Sequence, residues 1–152
     1  TKSLADHLAK KSKVNVVEAR EGEITKAGTV YIAPGGSHMT ATRNAGVPVS
    51  FTLKMNQDAP VNHCRPAVDV LFKSVALAAR GNVVSFIGTG LGTDGYLGVA
   101  DLVNLGGYSL TQDEKSCAVY GMPKAVVDNG LANEILALSQ IANRINQIFG
   151  KK

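Results

Sequence analysis

The segment from Gly88 to Gly95 carries the clearest chemical signal in the chain. It reads Gly-Thr-Gly-Leu-Gly-Thr-Asp-Gly, and Asp94 is its only ionisable residue. Glycine allows positive φ angles and a close approach of the backbone to a ligand. An apolar run, 82–87, precedes the segment and a helical pattern follows it, so the segment connects a strand to a helix. Ligands of open α/β sheets bind at this edge, and the segment is therefore the candidate functional site.

The residues alone leave the role of Asp94 open. A carboxylate at this edge can accept the N–H of a histidine and fix its tautomer, which is the third role in a Ser-His-Asp triad. Asp is also a favoured N-cap, so Asp94 can simply cap the helix that follows it.

A third interpretation is a dinucleotide site, because Gly90, Gly92 and Gly95 fit the G-x-G-x-x-G pattern and acidic residues follow about 20 positions later, at 113 and 114. Against it, a dinucleotide-binding domain normally carries this pattern after its first strand, whereas here some 80 residues precede it. An acidic residue in the turn would also repel a pyrophosphate, although helix dipole and amides attract one. A P-loop is excluded, because Tyr96 stands where lysine should follow Gly95.

The elements that must position this segment alternate along the second half of the chain. Pro66 predicts the start of a helix, since its missing N–H costs nothing there. The apolar stripe of that helix is Val68, Leu71, Phe72, Val75 and Ala76. Strands are predicted at 82–87, 108–111 and 133–137, and both faces of the first should be buried. Helices are predicted at 97–105, at 123–130 and from 138 on. The inward residues of the last helix are predicted to be Leu138, Ile141, Ala142, Ile145 and Phe149. This alternation favours a parallel sheet with helices on both faces.

The first half of the chain reads differently. A helix is predicted over 3–11, and strands are predicted over 14–19, 29–33 and 47–54. The stretch from 29 to 54 suggests an antiparallel ribbon. No internal repeat or linker divides the chain, so residues 1–152 are expected to form a single domain.

Composition excludes several functions. No apolar run approaches the roughly 20 residues of a membrane helix, and we expect no secretion signal in Thr1–Lys13. The net charge of +4 comes from scattered basic residues with few aromatics, which disfavours nucleic-acid binding. Cys64 and Cys117 lack metal-ligand or disulfide spacing, so they are expected to be reduced thiols of a cytoplasmic protein, without a metal, a cofactor or a catalytic cysteine.

Several segments resemble one family. Thr89-Gly-Leu-Gly-Thr-Asp94-Gly resembles the T-G-M-G-x-D-G motif of the chemotaxis protein-glutamate methylesterases (CheB). The segment from Val30 to Met39 is similar to the family's Y-I-A-P-G-x-x-H-M, and the segment from Pro60 to Phe72 to its P-V-N-x-x-R-P-S-V-D-V-L-F. Segments 112–117 and 120–123 also match. The similarity runs in order through nearly all 152 residues.

The resemblance implies a doubly wound, mainly parallel sheet with an antiparallel β-hairpin. It implies hydrolysis of glutamyl methyl esters on chemoreceptor helices, with receptor glutamine deamidation in many members, by a triad whose Asp falls on Asp94. The expected site-shaping residues are Gly90, Leu91, Gly92, Gly95, Ser116 and Met122. Leu91 stands where Met is more usual, a swap of similar volume. No cofactor is implied, and the implied partners are methylated chemoreceptors and a receiver domain.

The family's nucleophilic Ser and its His precede the part that resembles Thr1 to Leu8. On this resemblance the chain begins just past the His, and the N-terminal strands and the receiver domain are missing. We therefore expect these 152 residues alone to be inactive and, with a sheet edge uncovered, to aggregate or to dock with another chain. Ser116, His38 and Asp94 form the only conceivable replacement triad, which we do not expect. The remaining alternatives are a non-catalytic fragment that contacts receptors or partners, and the dinucleotide module.

Overall fold

The computed structural model describes residues 1–46 and 48–150. Its elements are α1 (Lys2–Lys11), β1 (Asn15–Glu18), β2 (Thr29–Ile32), β3 (His38–Arg43), β4 (Phe51–Asn56), α2 (Val68–Ala79), β5 (Val84–Ile87), α3 (Tyr96–Asn104), β6 (Tyr108–Gln112), a 3₁₀ turn (Glu114–Ser116), α4 (Met122–Asp128), β7 (Glu134–Leu136) and α5 (Leu138–Ile148). The predicted α/β class is confirmed.

The second half of the chain folds as its alternating pattern predicts. β5, β6 and β7 form a parallel sheet in that order, with α3 and α4 as the crossovers. Because the three strands run in one direction, their carboxyl ends meet at one edge of the sheet. The glycine turn Gly88–Gly95 follows β5, and the turn that contains Ser116 follows β6, so both lie at this edge.

The antiparallel ribbon predicted over 29–54 is wrong in its pairing. β2 pairs in parallel with β1, with Thr29 opposite Asn15. The antiparallel hairpin consists of β3 and β4. The sequence pattern misses β3 because its Thr and Ala residues lack a clear apolar alternation. β4 begins at Phe51 and not at 47; Val47 lies outside the described residues, and Pro48 cannot donate to a strand ladder.

Helix α2 joins the two halves of the molecule, because it packs on two apolar clusters. One cluster contains Ala19, Met39 and Leu53, and the other contains Ile87, Val99 and Val126. Leu71 packs on the first cluster, and Val68 and Phe72 pack on the second. Burial on both sides fixes the N-terminus of α2 beside the turn that follows β5.

Two element boundaries differ from the prediction. α2 begins at Val68, with Ala67 as N-cap, and Pro66 stands before it in a cis peptide bond with Arg65. In α5, Ile141 is buried and Ile145 is half-buried, but Ala142 and Phe149 are exposed. The inward face follows the i, i+4 spacing from Ile141, and Ala142 lies about 100° away from it.

Strand β5 is less buried than predicted, since both of its faces were expected to be buried. Ser85 and Ile87 are buried, whereas Val84 and Phe86 are half-buried. Within the described residues, β1 and β5 are each paired on one side only. Self-association of the isolated 152-residue polypeptide stays a prediction. Among the helices in these residues, none combines the length and apolarity that crossing a bilayer requires.

Candidate active site

Asp94 ends the glycine turn and points its carboxylate at the start of α2. It is 7% exposed. Its Oδ2 accepts the N–H of Val68 at 2.7 Å, and its Oδ1 accepts the N–H of Asp69 at 3.0 Å and an amide hydrogen of Asn62 at 3.3 Å. The two backbone donors belong to the first turn of α2, where the positive end of the helix dipole interacts favourably with a carboxylate.

This geometry corrects the interpretation of Asp94 as the cap of the helix that follows it. Gly95 is the N-cap of α3, and no side chain caps that helix. Asp94 caps α2 instead, which begins earlier in the chain but lies next to the turn. A carboxylate offers about four acceptor positions. Three are filled by donors of the described residues, and the unfilled position is on Oδ2.

Gly95 is required for this approach. Its φ is +98°, and a Cβ at this position would lie 2.8 Å from Cδ1 of Ile87 and 3.0 Å from Cγ1 of Val68. A side chain would therefore push the turn away from α2 and would also strain the backbone. Gly92 also has a positive φ of +83°, but it faces open space.

Two N–H groups at the start of the turn face protein acceptors, which argues against a phosphate cradle there. The N–H of Thr89 donates to Oε1 of Gln112 at 2.8 Å, and the N–H of Gly90 donates to the carbonyl of Val119 at 3.0 Å. In a dinucleotide fold such N–H groups point at the pyrophosphate. The dinucleotide interpretation therefore loses two of the N–H donors of this turn.

Gln112 connects the turn to Ser116. It is 1% exposed, and its Nε2 donates to the carbonyl of Ser116 at 2.8 Å and to its Oγ at 3.2 Å. The Ser116 hydroxyl also accepts the N–H of Leu138 at 3.0 Å and donates to Asp113. Ser116 is thus held at the same sheet edge as the turn, but its hydroxyl has no histidine partner among the described residues.

The other predicted site-shaping residues surround the turn. The N–H of Met122 donates to the carbonyl of Gly90 at 2.9 Å, and a Cβ on Gly90 would lie 2.3 Å from Sδ of Met122. Leu91 is 87% exposed at the tip of the turn. Met122 thus packs on the turn that carries Asp94, and the role of these residues in shaping a substrate site stays a prediction.

His38 is buried with no exposed surface, and backbone groups occupy both of its ring nitrogens. Nδ1 accepts the N–H of Ala67 at 3.2 Å, so Nε2 carries the proton and donates to the carbonyl of Ala59 at 3.1 Å. A histidine in this state supports the start of α2 and has no free nitrogen to act as a base. The geometry therefore gives no support to a triad of Ser116, His38 and Asp94.

The cysteines do not supply a nucleophile at this site either. Burial, followed by the charges of Asp113 and Glu114, raises the pKa of the Cys117 thiol above its usual 9.0, so the thiol stays protonated at neutral pH. Cys64 is an exposed free thiol. In the part of the chain that the structure describes, no group of His, Cys, Asp and Glu side chains is arranged to hold a metal ion.

Sequence reasoning missed the residues that hold the predicted site together. Asn62, Asp69 and Gln112 all bond to the site, yet none was singled out as a site residue. Asn62 and Asp69 lie within the matched segment Pro60–Phe72, and Gln112 lies within the matched segment 112–117, so the motifs were the available signal. Their contacts span 23 to 32 positions of sequence, and local patterns contain no information at that distance.

Comparison with known proteins decides the family. The family model described as CheB methylesterase matches residues 1–145. The chain belongs to the CheB methylesterase family. The CheB methylesterase catalytic domain of Thermotoga maritima superposes on it with a TM-score of 0.90 and 34% identity, over 97% of this chain and 77% of that one.

Curated CheB relatives carry the name protein-glutamate methylesterase/protein-glutamine glutaminase. The protein from Thiobacillus denitrificans is 42% identical over 98% of this chain, and the one from Maricaulis maris is 47% identical over 93%. The chain spans 41% and 34% of the lengths of these two relatives. The doubly wound fold and the family predicted from the motifs are confirmed.

Proposed function

We propose that this chain forms part of an enzyme that hydrolyses glutamyl methyl esters on methylated chemoreceptor helices, and that Asp94 is the acid of a Ser-His-Asp triad. The observation that carries the proposal is the unfilled acceptor position on Oδ2 of Asp94. The carboxylate is buried and fixed by Asn62, Val68 and Asp69, and these are its three donors among the described residues. An imidazole N–H is the donor that fits there.

In this reaction Asp94 orients the imidazole and stabilises its protonated form. The imidazole removes the proton of a serine hydroxyl, the serine oxygen attacks the ester carbonyl, and methanol leaves with that proton. Water then attacks the acyl-enzyme, which restores the serine and leaves a glutamate. A glutamine side chain would follow the same course and release ammonia, in keeping with the glutaminase named in the relatives.

Neither Ser116 nor His38 fills the other two roles, for the reasons of geometry given above. We propose that the serine and the imidazole come from a segment outside these 152 residues that docks at the same edge of the sheet. We also propose a receiver domain as the regulatory partner. The chain covers only 41% and 34% of the lengths of two relatives, which leaves room for such a domain in those proteins. The free thiols of Cys64 and Cys117 support a reducing, cytoplasmic setting.

The test is the Asp94→Asn variant of an intact methylesterase that carries this sequence, assayed by methanol release from methylated receptor. We expect kcat to fall by about 10²- to 10⁴-fold, because the amide favours the wrong tautomer of the imidazole. Loss of a cap contact should also lower the free energy of unfolding by about 1 kcal/mol.

The matched control is Asp101→Asn, which removes one carboxylate from α3 and should keep the wild-type rate. Near wild-type turnover by folded Asp94→Asn protein would refute the role of Asp94. If the intact wild-type enzyme releases no methanol at all, the proposed activity itself is wrong.

A further inference from the structure

Asn62 lies between two buried carboxylates. Its Nδ2 donates to Oδ2 of Asp69 at 2.9 Å and to Oδ1 of Asp94 at 3.3 Å. Asp69 and Asp94 are each 7% exposed. The amide nitrogen carries two hydrogens, so a single side chain supplies one donor to each carboxylate.

The orientation of the amide follows from its neighbours. Both acceptors are carboxylates, so the nitrogen of Asn62 and not its oxygen must face them. Asn62 itself is exposed, but the two carboxylates are not, and without this donor their like charges would stand beside each other and repel. Asp69 cannot turn away, because its Oδ1 accepts the N–H of Gly98 at 2.8 Å. Asn62 is therefore the group that lets both carboxylates keep their positions.

The backbone presents this amide in a fixed direction. Asn62 and His63 have φ angles of +51° and +62° and form the centre of a tight turn between Val61 and Cys64. That turn is closed by two backbone hydrogen bonds between Val61 and Cys64, at 3.1 and 2.8 Å. Positive φ at both central residues is the mark of a type I′ turn, in which Asn is favoured.

We propose that Asn62 is a positioning residue for Asp94: it fixes the carboxylate so that the open lone pair of Oδ2 points at the triad imidazole. This inference rests on the proposed function. The backbone N–H groups of Val68 and Asp69 bind the carboxylate at the start of α2, and the amide of Asn62 is its third hydrogen-bond donor. The side chain of Asn62 acts through Asp94 and has no contact with the reacting atoms.

The experiment uses Asn62→Gly and Asn62→Asp in the intact methylesterase. Glycine keeps the positive φ and removes the amide. We expect kcat to fall roughly 5- to 50-fold with KM unchanged, since one charge-assisted hydrogen bond is lost and no ester contact is touched. Asp has nearly the same shape but adds a third carboxylate beside Asp69 and Asp94. A carboxyl group cannot donate to both carboxylates as the amide does, so kcat should fall here too.

His63→Gly is the matched control. His63 shares the positive φ and the turn, but its exposed ring makes no hydrogen bond among the described residues. It should keep the wild-type kcat. Equal losses in His63→Gly and Asn62→Gly would assign the effect to the turn backbone and overturn the proposal, as would a wild-type kcat in either Asn62 variant.

Thermal unfolding confirms that each variant is folded, and Asn62→Asp carries the test if Asn62→Gly does not fold. The parallel Asp94→Asn measurement separates the two proposals. If Asp94→Asn loses turnover while both Asn62 variants match the wild type, only the positioning role fails. If Asp94→Asn keeps full turnover, the triad assignment fails first.

Discussion

The Asp94 carboxylate shows how one side chain ties local structure to a site. It caps a helix that begins 26 residues earlier in the chain, and the same contacts fix its direction at the sheet edge. The His38 ring likewise accepts the neighbouring N–H of Ala67, and both of its ring nitrogens are bonded to backbone groups. Between them, the two side chains satisfy three N–H groups at the start of α2, which a helix cannot satisfy by itself.

Gln112 gives a prediction at the scale of a single residue. Gln112→Met keeps the size of the side chain but removes its donor and acceptor. The N–H of Thr89 and the carbonyl of Ser116 then each lose a part-buried hydrogen bond, which should lower the free energy of unfolding by about 1–2 kcal/mol in total. Chemical denaturation measures the change.

The control is Gln147→Met on the exposed side of α5, which should change stability by no more than about 0.5 kcal/mol. Equal stability of the two variants would show that Gln112 does not hold the glycine turn. We also expect slower methanol release by Gln112→Met, because the turn positions Asp94.

At the scale of elements, the contact of α2 with α3 sets the site. Gly98 allows the two helices to approach, because a Cβ there would lie 2.5 Å from Cβ of Phe72 and 3.3 Å from the carbonyl oxygen of Asp69. The same approach lets the N–H of Gly98 reach Asp69. Helix packing and the hydrogen-bond network of Asp94 therefore depend on each other.

Gly98→Ala tests this dependence. Alanine favours a helix by about 1 kcal/mol over glycine. Overpacking against Phe72 and the α2 backbone opposes this gain and typically costs about 1–3 kcal/mol, and more where the neighbour cannot move. We expect a net loss of stability in thermal unfolding, together with a lower kcat. Gly35→Ala, whose Cβ would meet only Thr1 at 3.8 Å, is the control; a loss of the same size there would contradict the packing argument.

At the scale of the whole molecule, an ion pair links the last helix to the last strand of the sheet. Glu134 on β7 accepts Nε of Arg144 on α5 at 2.7 and 2.9 Å, and the hydroxyl of Tyr108 on β6 at 2.6 Å. The hydrogen bonds from Arg144, and after it from Tyr108, hold the pKa of Glu134 below its usual 4.5. Three elements thus meet at one partly exposed carboxylate.

This pair predicts a pH dependence of stability. A carboxyl group whose pKa is depressed in the folded state stabilises the fold above its unfolded-state pKa, and this contribution is lost as the pH falls through the folded value. The unfolding temperature of the wild type should therefore exceed that of Glu134→Gln at neutral pH, and the two should converge as the pH drops below about 4.5. A difference in unfolding temperature between the two proteins that stays constant over pH 3–7 would contradict the assignment. Glu114→Gln, at an exposed carboxylate, is the control.

Sequence reasoning was accurate where the signal is local. The alternating helices and strands after residue 66 are confirmed, because periodicity and flanking glycines reflect the burial of each element. The pairing of β2 was wrong, since a strand pattern does not name its partner. Helix α2 begins two residues after the predicted start at Pro66, and Phe149, predicted to face inward, is exposed. Helix ends and inward faces depend on neighbours that the pattern does not contain.

The sequence by itself determined the fold class, the family and the segment that carries Asp94, because glycine spacing, apolar periodicity and motif order are all written along the chain. Only the tertiary structure decided what Asp94 touches. Asn62, the start of α2 and the glycine turn are distant in sequence and come into hydrogen-bond range when α2 packs between its two apolar clusters. Hydrogen-bond partners across such distances are set by packing, and packing is a property of the folded chain as a whole.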